Sequence, residues 1–127
     1  MRKIEIPGSV NNPGHYSPGM VSKGMLYISG QLPVDPVTRT IPEGFRTQVI
    51  QALENVNLVL ESAGAKKSDV VMCRAYLPQV ELWNEFNEIY KEWFASHKPA
   101  RVIVPSGPLH YGAMVEIEAF AELREDI

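Results

Sequence analysis

The chain has 127 residues, of which 45% are hydrophobic and 21% are charged, and these proportions are ordinary for one globular domain. The formal net charge of -3 provides no basic surface of the kind that binds nucleic acid. The single cysteine, Cys73, excludes an internal disulfide and a cysteine-based metal cluster, and no apolar run reaches membrane-spanning length, so we predict one cytoplasmic domain over residues 1–127.

Alternating polar and apolar side chains, together with turn-forming residues, predict the secondary structure of the first half of the chain. Residues 1–6 alternate polar and apolar side chains as a strand does, and the Gly-, Pro- and Asn-containing stretch from Gly8 to Gly19 predicts a loop. A second strand is predicted from Met25 to Ser29. The first helix is predicted from Gly44 to Ala63, because apolar residues recur there at helical spacing and Gly64 is a suitable C-terminal cap.

Two strands flank a second helix in the rest of the pattern. One strand is predicted from Val70 to Leu77, with Val71 on its apolar face, and the second helix from about Val80 to Ser96. The remaining strands are predicted near Ala100 to Ser106 and Met114 to Leu123. This order indicates an α+β fold in which two helices cover one face of the sheet.

Strand parity gives the opposite face of the sheet a mixed character. The set predicted there is Met72, Arg74, Tyr76, Arg101, Ile103, Met114, Glu116, Glu118 and Phe120. A monomer would expose the large apolar members of this set, so we expect other copies of the chain to cover the face. The charged members would then line clefts between protomers. An error of one residue in register would reverse the assignment.

Arg101 is the candidate anchor of a site. It lies among β-branched residues, where an unpaired charge is costly, and its planar guanidinium matches a carboxylate. It is either half of an internal ion pair, which residue type alone favours, or the anchor of a carboxylate ligand. Glu116 would accordingly neutralise Arg101 or activate a water beside the ligand. Glu118 and Arg74 are competing partners that the residues alone do not rank.

Other candidates have structural explanations. Cys73 and the aromatic residues of the second helix, including Trp83 and Phe86, are expected in the core. Asn87 lies on the aromatic stripe and needs hydrogen-bond partners, and a bond to backbone is slightly favoured over ligand contact. His110 and its tyrosine neighbour are predicted with equal weight in solvent or at the rim of a cleft.

Four motifs carry a resemblance to a known family. They are ISGQLPVDP at 28–36, QALENV at 51–56, KPAR at 98–101 and VEIEA at 115–119, in conventional order and spacing. The chain resembles the Rid family of reactive intermediate deaminases, also called YjgF or L-PSP endoribonuclease proteins. This resemblance implies a chorismate-mutase-like mixed β-sheet with two helices packed on one face, assembled as a homotrimer with ligand sites between subunits.

The resemblance also implies an activity. The best-known family members hydrolyse enamine and imine intermediates such as 2-aminoacrylate to 2-keto acids and ammonia, without a metal or organic cofactor. It implies that Arg101 binds the substrate carboxylate and that Glu116 is associated with the water. Further substrate-binding positions implied by it are Tyr16, Ser29, Gly30, Asn87 and Ile103. From the residues alone, Tyr16 is a surface or packing residue, and Ser29-Gly30 is a strand end.

The predicted pocket wall departs from the family. Val102 and Ile103 stand where a small polar residue and cysteine are usual, and residues 104–110 read VPSGPLH in place of VEVARLP. We therefore expect a substrate other than 2-aminoacrylate, such as a bulkier imine or an aminomuconate-like acid. Two other functions stay open: a non-catalytic regulatory protein that binds small carboxylates, and an endoribonuclease or translation inhibitor, against which the net negative charge argues. We expect neither nucleic acid nor a membrane as a partner.

Overall fold

Six strands form one sheet, in the order β1-β2-β3-β6-β4-β5, in the computed structural model, which describes residues 1–8 and 14–124. The strands are β1 (Arg2–Ile4), β2 (Gly19–Ser22), β3 (Met25–Gln31), β4 (Val70–Leu77), β5 (Ala100–Pro105) and β6 (Glu116–Glu122). β4 and β5 are parallel, and the other neighbouring pairs are antiparallel. The mixed sheet is therefore confirmed.

The two helices are α1 (Phe45–Ser62) and α2 (Trp83–Phe94). α1 lies within the predicted range of Gly44 to Ala63, and Gly64 follows its C-terminus at positive φ, as suits a cap. The apolar stripe of α1 is buried against the sheet face that carries the alanine, leucine and isoleucine side chains of β3, β4 and β6. We call this face of the sheet the helix-side face. Within the described residues, neither helix has the length and apolar character needed to cross a membrane.

The second helix is shorter than predicted. Val80–Leu82 forms a 3-10 turn, and the α-helical part begins only at Trp83. Phe86 is buried as expected, but Trp83 is 39% exposed, so its assignment to the core is wrong. Trp83 is the first residue of α2.

The predicted loop from Gly8 to Gly19 ends in a strand that the sequence did not reveal. Residues 9–13 of that loop lie outside the described residues, and β2 starts at Gly19, which pairs with Ile28. A Cβ at Gly19 would lie 2.8 Å from Val59 Cγ1, so this glycine permits the close approach of α1. The last residue of the predicted loop is therefore a packing residue at the start of a strand.

A bulge corrects the predicted apolar face of β4. The register with β6 shifts between Val70 and Met72. As a result Val70 is 2% exposed and Val71 is 44% exposed, so Val71 does not lie on the apolar face. The rest of the predicted face, from Cys73 to Leu77, is buried as expected.

The predicted face of β5 is wrong. Arg101 pairs with Cys73 and Ile103 pairs with Ala75, and both partners are 0% exposed on the helix-side face. Residues paired across neighbouring strands share a face, so Arg101 and Ile103 lie on the helix side. The prediction assumed that the more apolar set of alternating side chains in each strand packs on the helices. This assumption fails for the edge strand β5, whose Arg101 contacts Asn87 and Tyr90 of α2.

Glu116 lies on the opposite face, as predicted. It pairs with Tyr76, and Glu118 pairs with Arg74, all on the side away from the helices. β4 separates β5 from β6 in the sheet. Arg101 and Glu116 are therefore neither on neighbouring strands nor on the same face, contrary to the prediction.

Candidate functional site

A cavity of ≈ 730 Å³ opens where β3 ends and β6 begins. Its lining includes Tyr16, Ser29, Gly30 and Glu116, which are four of the predicted site residues. Arg101 is not part of this lining. The cavity and the residues around Glu116 are called the Glu116 half-site below.

Glu116 is the first residue of β6 and is half-buried. Burial raises the pKa of its carboxyl above the ordinary value of 4.5, the nearby charge of Glu118 raises it further, and His110 opposes these effects. A carboxyl with a raised pKa exchanges a proton more readily near neutral pH. The cavity is therefore lined by a half-buried carboxyl with a raised pKa.

Backbone geometry brings Gly30 against Glu116. The β3–β6 register shifts between Ile28 and Gln31, and Gly30 lies in this irregular stretch. A Cβ at Gly30 would lie 2.5 Å from Oε2 of Glu116 and 3.2 Å from its Cδ. The absent side chain thus creates the space that the carboxylate occupies.

Hydrogen bonds hold the rim of the cavity. Ser29 donates through Oγ to Ser17 O at 2.6 Å and through its amide to Pro18 O at 2.9 Å. Gln31 Nε2 donates to Ser29 O at 3.0 Å. These bonds fix the segment that carries Tyr16, whose side chain is 55% exposed and contributes to the cavity lining.

Arg101 forms a separate half-site on the helix side, called the Arg101 half-site below. Its Nη1 donates to Asn87 Oδ1 at 3.0 Å, and the guanidinium carbon lies 4.9 Å from the Tyr90 ring centroid and 5.5 Å from that of Trp83. Among the described residues, no carboxylate oxygen lies within 4.0 Å of it. The favoured internal ion pair is therefore wrong: the half-buried cation contacts an amide and two rings.

The contact of Asn87 differs from the one favoured by its sequence pattern. Its carbonyl oxygen orients Arg101, whereas we had slightly favoured a bond to backbone. Ile103 lies on the same face, partly buried against the core. Cys73 beneath Arg101 is 0% exposed, as predicted, and burial raises its pKa to about 11. The thiol is thus protonated at neutral pH and is a packing group.

Arg74 and Glu118, the competing partners named in the sequence analysis, form an ion pair with each other. Glu118 accepts hydrogen bonds from the Tyr76 hydroxyl and from Arg74 Nη1, the latter at 3.5 Å, and the Arg74 guanidinium lies 5.1 Å from the Phe120 ring centroid. The hydrogen bond to Glu118 is the main reason that the pKa of Tyr76 is raised. Of the two acids in VEIEA, Glu118 is therefore occupied, and Glu116 lines the cavity.

Several lining residues were not predicted. Asn55 is buried on α1, and its Nδ2 donates to Leu32 O at 3.0 Å and Val34 O at 2.8 Å, which holds the segment after β3 along the cavity. An asparagine within the apolar stripe of a helix was the sequence feature that could have indicated this role of Asn55. His110, predicted with equal weight in solvent or at a rim, lines the cavity. Arg39 also lines it, and no sequence motif pointed to this arginine.

Metal binding finds no support in the described part of the chain. Within residues 1–8 and 14–124, no group of three or more His, Cys, Asp and Glu side chains is arranged to hold a metal ion.

Comparison with known proteins gives consistent matches along most of the chain. The family model described as Endoribonuclease L-PSP matches residues 9–123. A RutC family protein of Aquifex aeolicus is 42% identical over 123 residues, which cover 95% of this chain and 98% of the relative. A human 2-iminobutanoate/2-iminopropanoate deaminase is 35% identical over 118 residues, covering 92% and 84% of the two chains.

Solved structures agree with these matches. The crystal structure of Escherichia coli TdcF with bound serine has a TM-score of 0.91 and 30% sequence identity, and the match covers 98% of this chain and 100% of that chain. RidA from an Antarctic Psychrobacter also has a TM-score of 0.91, with 32% identity over 97% and 100% of the two chains. The resemblance carried by the four motifs is confirmed.

Proposed function

This chain belongs to the endoribonuclease L-PSP family, and from that membership and its two half-sites we propose that it hydrolyses imino acids to 2-keto acids and ammonia. The observation that carries the proposal is a half-buried guanidinium with no acid partner among the described residues, in a chain whose Glu116 is free to act on water. A relative of 35% identity is named for this reaction. The finer assignments that follow are part of the proposal.

The two half-sites are brought together by assembly. Within one protomer, Arg101 and Glu116 lie on opposite faces of the sheet, so the two side chains do not act on the same substrate molecule. The face away from the helices also leaves Tyr27 44% and Val102 40% exposed, which is costly in water. We propose a homotrimer in which this face is covered and the Arg101 half-site of one protomer meets the Glu116 half-site of the next.

The reaction needs binding, orientation and one proton carrier. Arg101 binds the α-carboxylate in a bidentate pair and so presents the C=N carbon to the cavity. The imine binds protonated at nitrogen, and Glu116 takes a proton from a water molecule as the water oxygen bonds to the C=N carbon, which gives a carbinolamine. Glu116 then returns this proton to the nitrogen. The C–N bond breaks, ammonia leaves, and Glu116 takes the hydroxyl proton as the C=O bond forms, then releases it to solvent.

The other residues of the two half-sites position these groups. Gly30 leaves room for the Glu116 carboxylate, and Tyr16 and Ser29 close the rim. Asn87 holds the guanidinium at 3.0 Å, which limits its rotation before substrate arrives. Ile103 lies beside Arg101 and forms part of the apolar wall in this proposal.

The decisive experiment is hydrolysis of freshly generated imino acids. An amino-acid oxidase supplies 2-iminobutanoate, and release of ammonia and 2-oxobutanoate is followed with the native protein and with Arg101→Ala. We expect the variant to lose about 10²–10⁴-fold in kcat/KM, because two charged hydrogen bonds of about 1.5–3 kcal/mol each are lost. Arg46→Ala is the control, since Arg46 is an exposed arginine paired with Glu92. Equal rates for native protein and Arg101→Ala would contradict the proposal, and saturable keto-acid binding without turnover would favour a regulatory protein.

A further inference from the structure

The turn that follows β3 is held rigidly by its own hydrogen bonds. The Asp35 carboxylate accepts from Val37 N at 2.8 Å and from Thr38 N at 3.0 Å, and Asp35 O accepts from Arg39 N at 2.9 Å. The Asp35 amide donates to Thr40 O at 2.8 Å and closes the turn. These bonds from the Thr38 and Val37 amides also lower the pKa of Asp35, so its carboxylate stays ionised and engaged with the backbone.

Arg39 occupies a backbone conformation that favours glycine. Its φ is 61°, a conformation that costs a residue with a Cβ about 1 kcal/mol of conformational free energy. Lys23 and Ala95 also have positive φ: Lys23 lies in the tight turn between β2 and β3, and Ala95 follows the last residue of α2. Arg39 and Tyr111 are the other two non-glycine residues with positive φ in the described chain, and both line the cavity.

Arg39 is the permanent cation of the cavity. Glu116 is the only acid in the described lining, and Arg101 is not part of it. Within the described residues, no carboxylate lies within 4.0 Å of the Arg39 nitrogens. An exposed arginine that neighbours a cavity, has no acid partner and projects from a rigid turn is suited to bind an anion from outside.

The cavity has room for more than a short imino acid. A volume of ≈ 730 Å³ lies in the range of sites that hold much larger ligands, even though the adjoining protomer fills part of it in the proposed assembly. A substrate whose α-carboxylate is bound by Arg101 and whose C=N carbon lies at Glu116 extends its side chain into this space.

We propose that Arg39 binds an anionic group at the far end of the substrate side chain, so that the preferred substrates are imino acids with a second carboxylate. This inference rests on the proposed function, because it assigns the distal end of the same site. Arg39 is a specificity residue in this arrangement, whereas Arg101 and Glu116 hold and convert the reacting end.

A matched pair of keto acids tests the inference without turnover. 2-Oxoglutarate and 2-oxopentanoate have the same chain length and differ in the terminal carboxylate. Their dissociation constants are measured by calorimetry for the native protein, Arg39→Ala, Arg39→Lys and Lys23→Ala. We expect Arg39→Ala to reduce the preference for 2-oxoglutarate about tenfold, which corresponds to about 1.4 kcal/mol, and Arg39→Lys to retain part of it. Lys23→Ala removes a charge at a similar φ outside the cavity lining and should leave the preference unchanged.

Hydrolysis of the corresponding imines gives the second readout. The ratio of kcat/KM for 2-iminoglutarate over 2-iminopentanoate should fall by a similar factor in Arg39→Ala. An equal loss of kcat/KM on both substrates would mean that Arg39 binds the α-carboxylate, which would overturn the inference. An unchanged ratio, or a changed oligomeric state of Arg39→Ala, would overturn it as well. Absence of any imine hydrolysis would refute the proposed function, and the keto-acid preference would still decide the role of Arg39.

Discussion

Mixing two inactive variants tests whether the catalytic site spans two protomers. Arg101→Ala removes one half-site and leaves the Glu116 half-site intact, and Glu116→Gln does the reverse. If each site takes Arg101 from one protomer and Glu116 from the next, a mixed oligomer contains some sites in which both residues are native. If one protomer supplied both residues, no mixture would contain a native site.

The size of the recovery follows from the geometry of the interface. In randomly reassociated oligomers at equal amounts, about half of the Arg101 positions and about half of the Glu116 positions are native, so about a quarter of the sites carry both. Arg101→Ala alone is expected to fall about 10²–10⁴-fold. The recovered activity should therefore stand far above that of either variant.

The assay combines subunit exchange with imine hydrolysis. The two variants carry different affinity tags, are mixed in mild denaturant and refolded, and mixed oligomers are identified by native mass spectrometry before ammonia release is measured. Arg101→Ala mixed with Asn87→Ala is the matched control, because both residues lie in one half-site and no exchange creates a native one. Verified mixed oligomers with only the average activity of the two variants would refute the shared site.

Two further predictions concern the Glu116 half-site. Gly30→Ala should lower kcat at least about tenfold, because a Cβ displaces the Glu116 carboxylate, and should leave the melting temperature within about 2 °C. Gly107→Ala, whose Cβ would meet nothing within 4 Å, is its control in the same kinetic and melting assays, and unchanged kcat in Gly30→Ala would argue against the geometry. Glu116→Gln should increase the free energy of unfolding at pH 7 and leave it unchanged below pH 4.5. Because the pKa of Glu116 is raised in the folded state, the native protein loses stability as the pH rises from the ordinary value of 4.5 through the folded-state pKa, and glutamine has no such titration. Denaturant unfolding at fixed protomer concentration measures this, with Glu88→Gln as an exposed control, and equal gains at both pH values would contradict it.

The sequence predicted most of the regular structure because its signals are local. The apolar stripe between Gly44 and Gly64 and the strand from Val70 to Leu77 lie where they were expected. β2 was missed because Gly19 is required by the approach of Val59, a contact between residues far apart in the chain. A pattern of neighbouring residues in the sequence does not predict such a contact.

The chemistry of the site was also partly readable. Arg101 and Glu116 were identified by residue type and motif, and the four motifs indicated the family. The sequence did not identify Arg39, since a turn arginine becomes informative only when its φ and the cavity beside it are known. It also left Glu118 as an equal competitor, until the contacts with Tyr76 and Arg74 showed that this acid is occupied.

The amino-acid sequence by itself determined the two helices, most of the strands and the identity of the arginine and glutamate that the proposed reaction uses. Only the tertiary structure decided which face of the sheet Arg101 occupies. β5 is an edge strand with β-branched side chains on both parities, so alternation does not distinguish its faces, and the pairing with Cys73 sets the choice. Because that pairing directs Arg101 to the helix side and Glu116 to the other, a single protomer holds two separate half-sites.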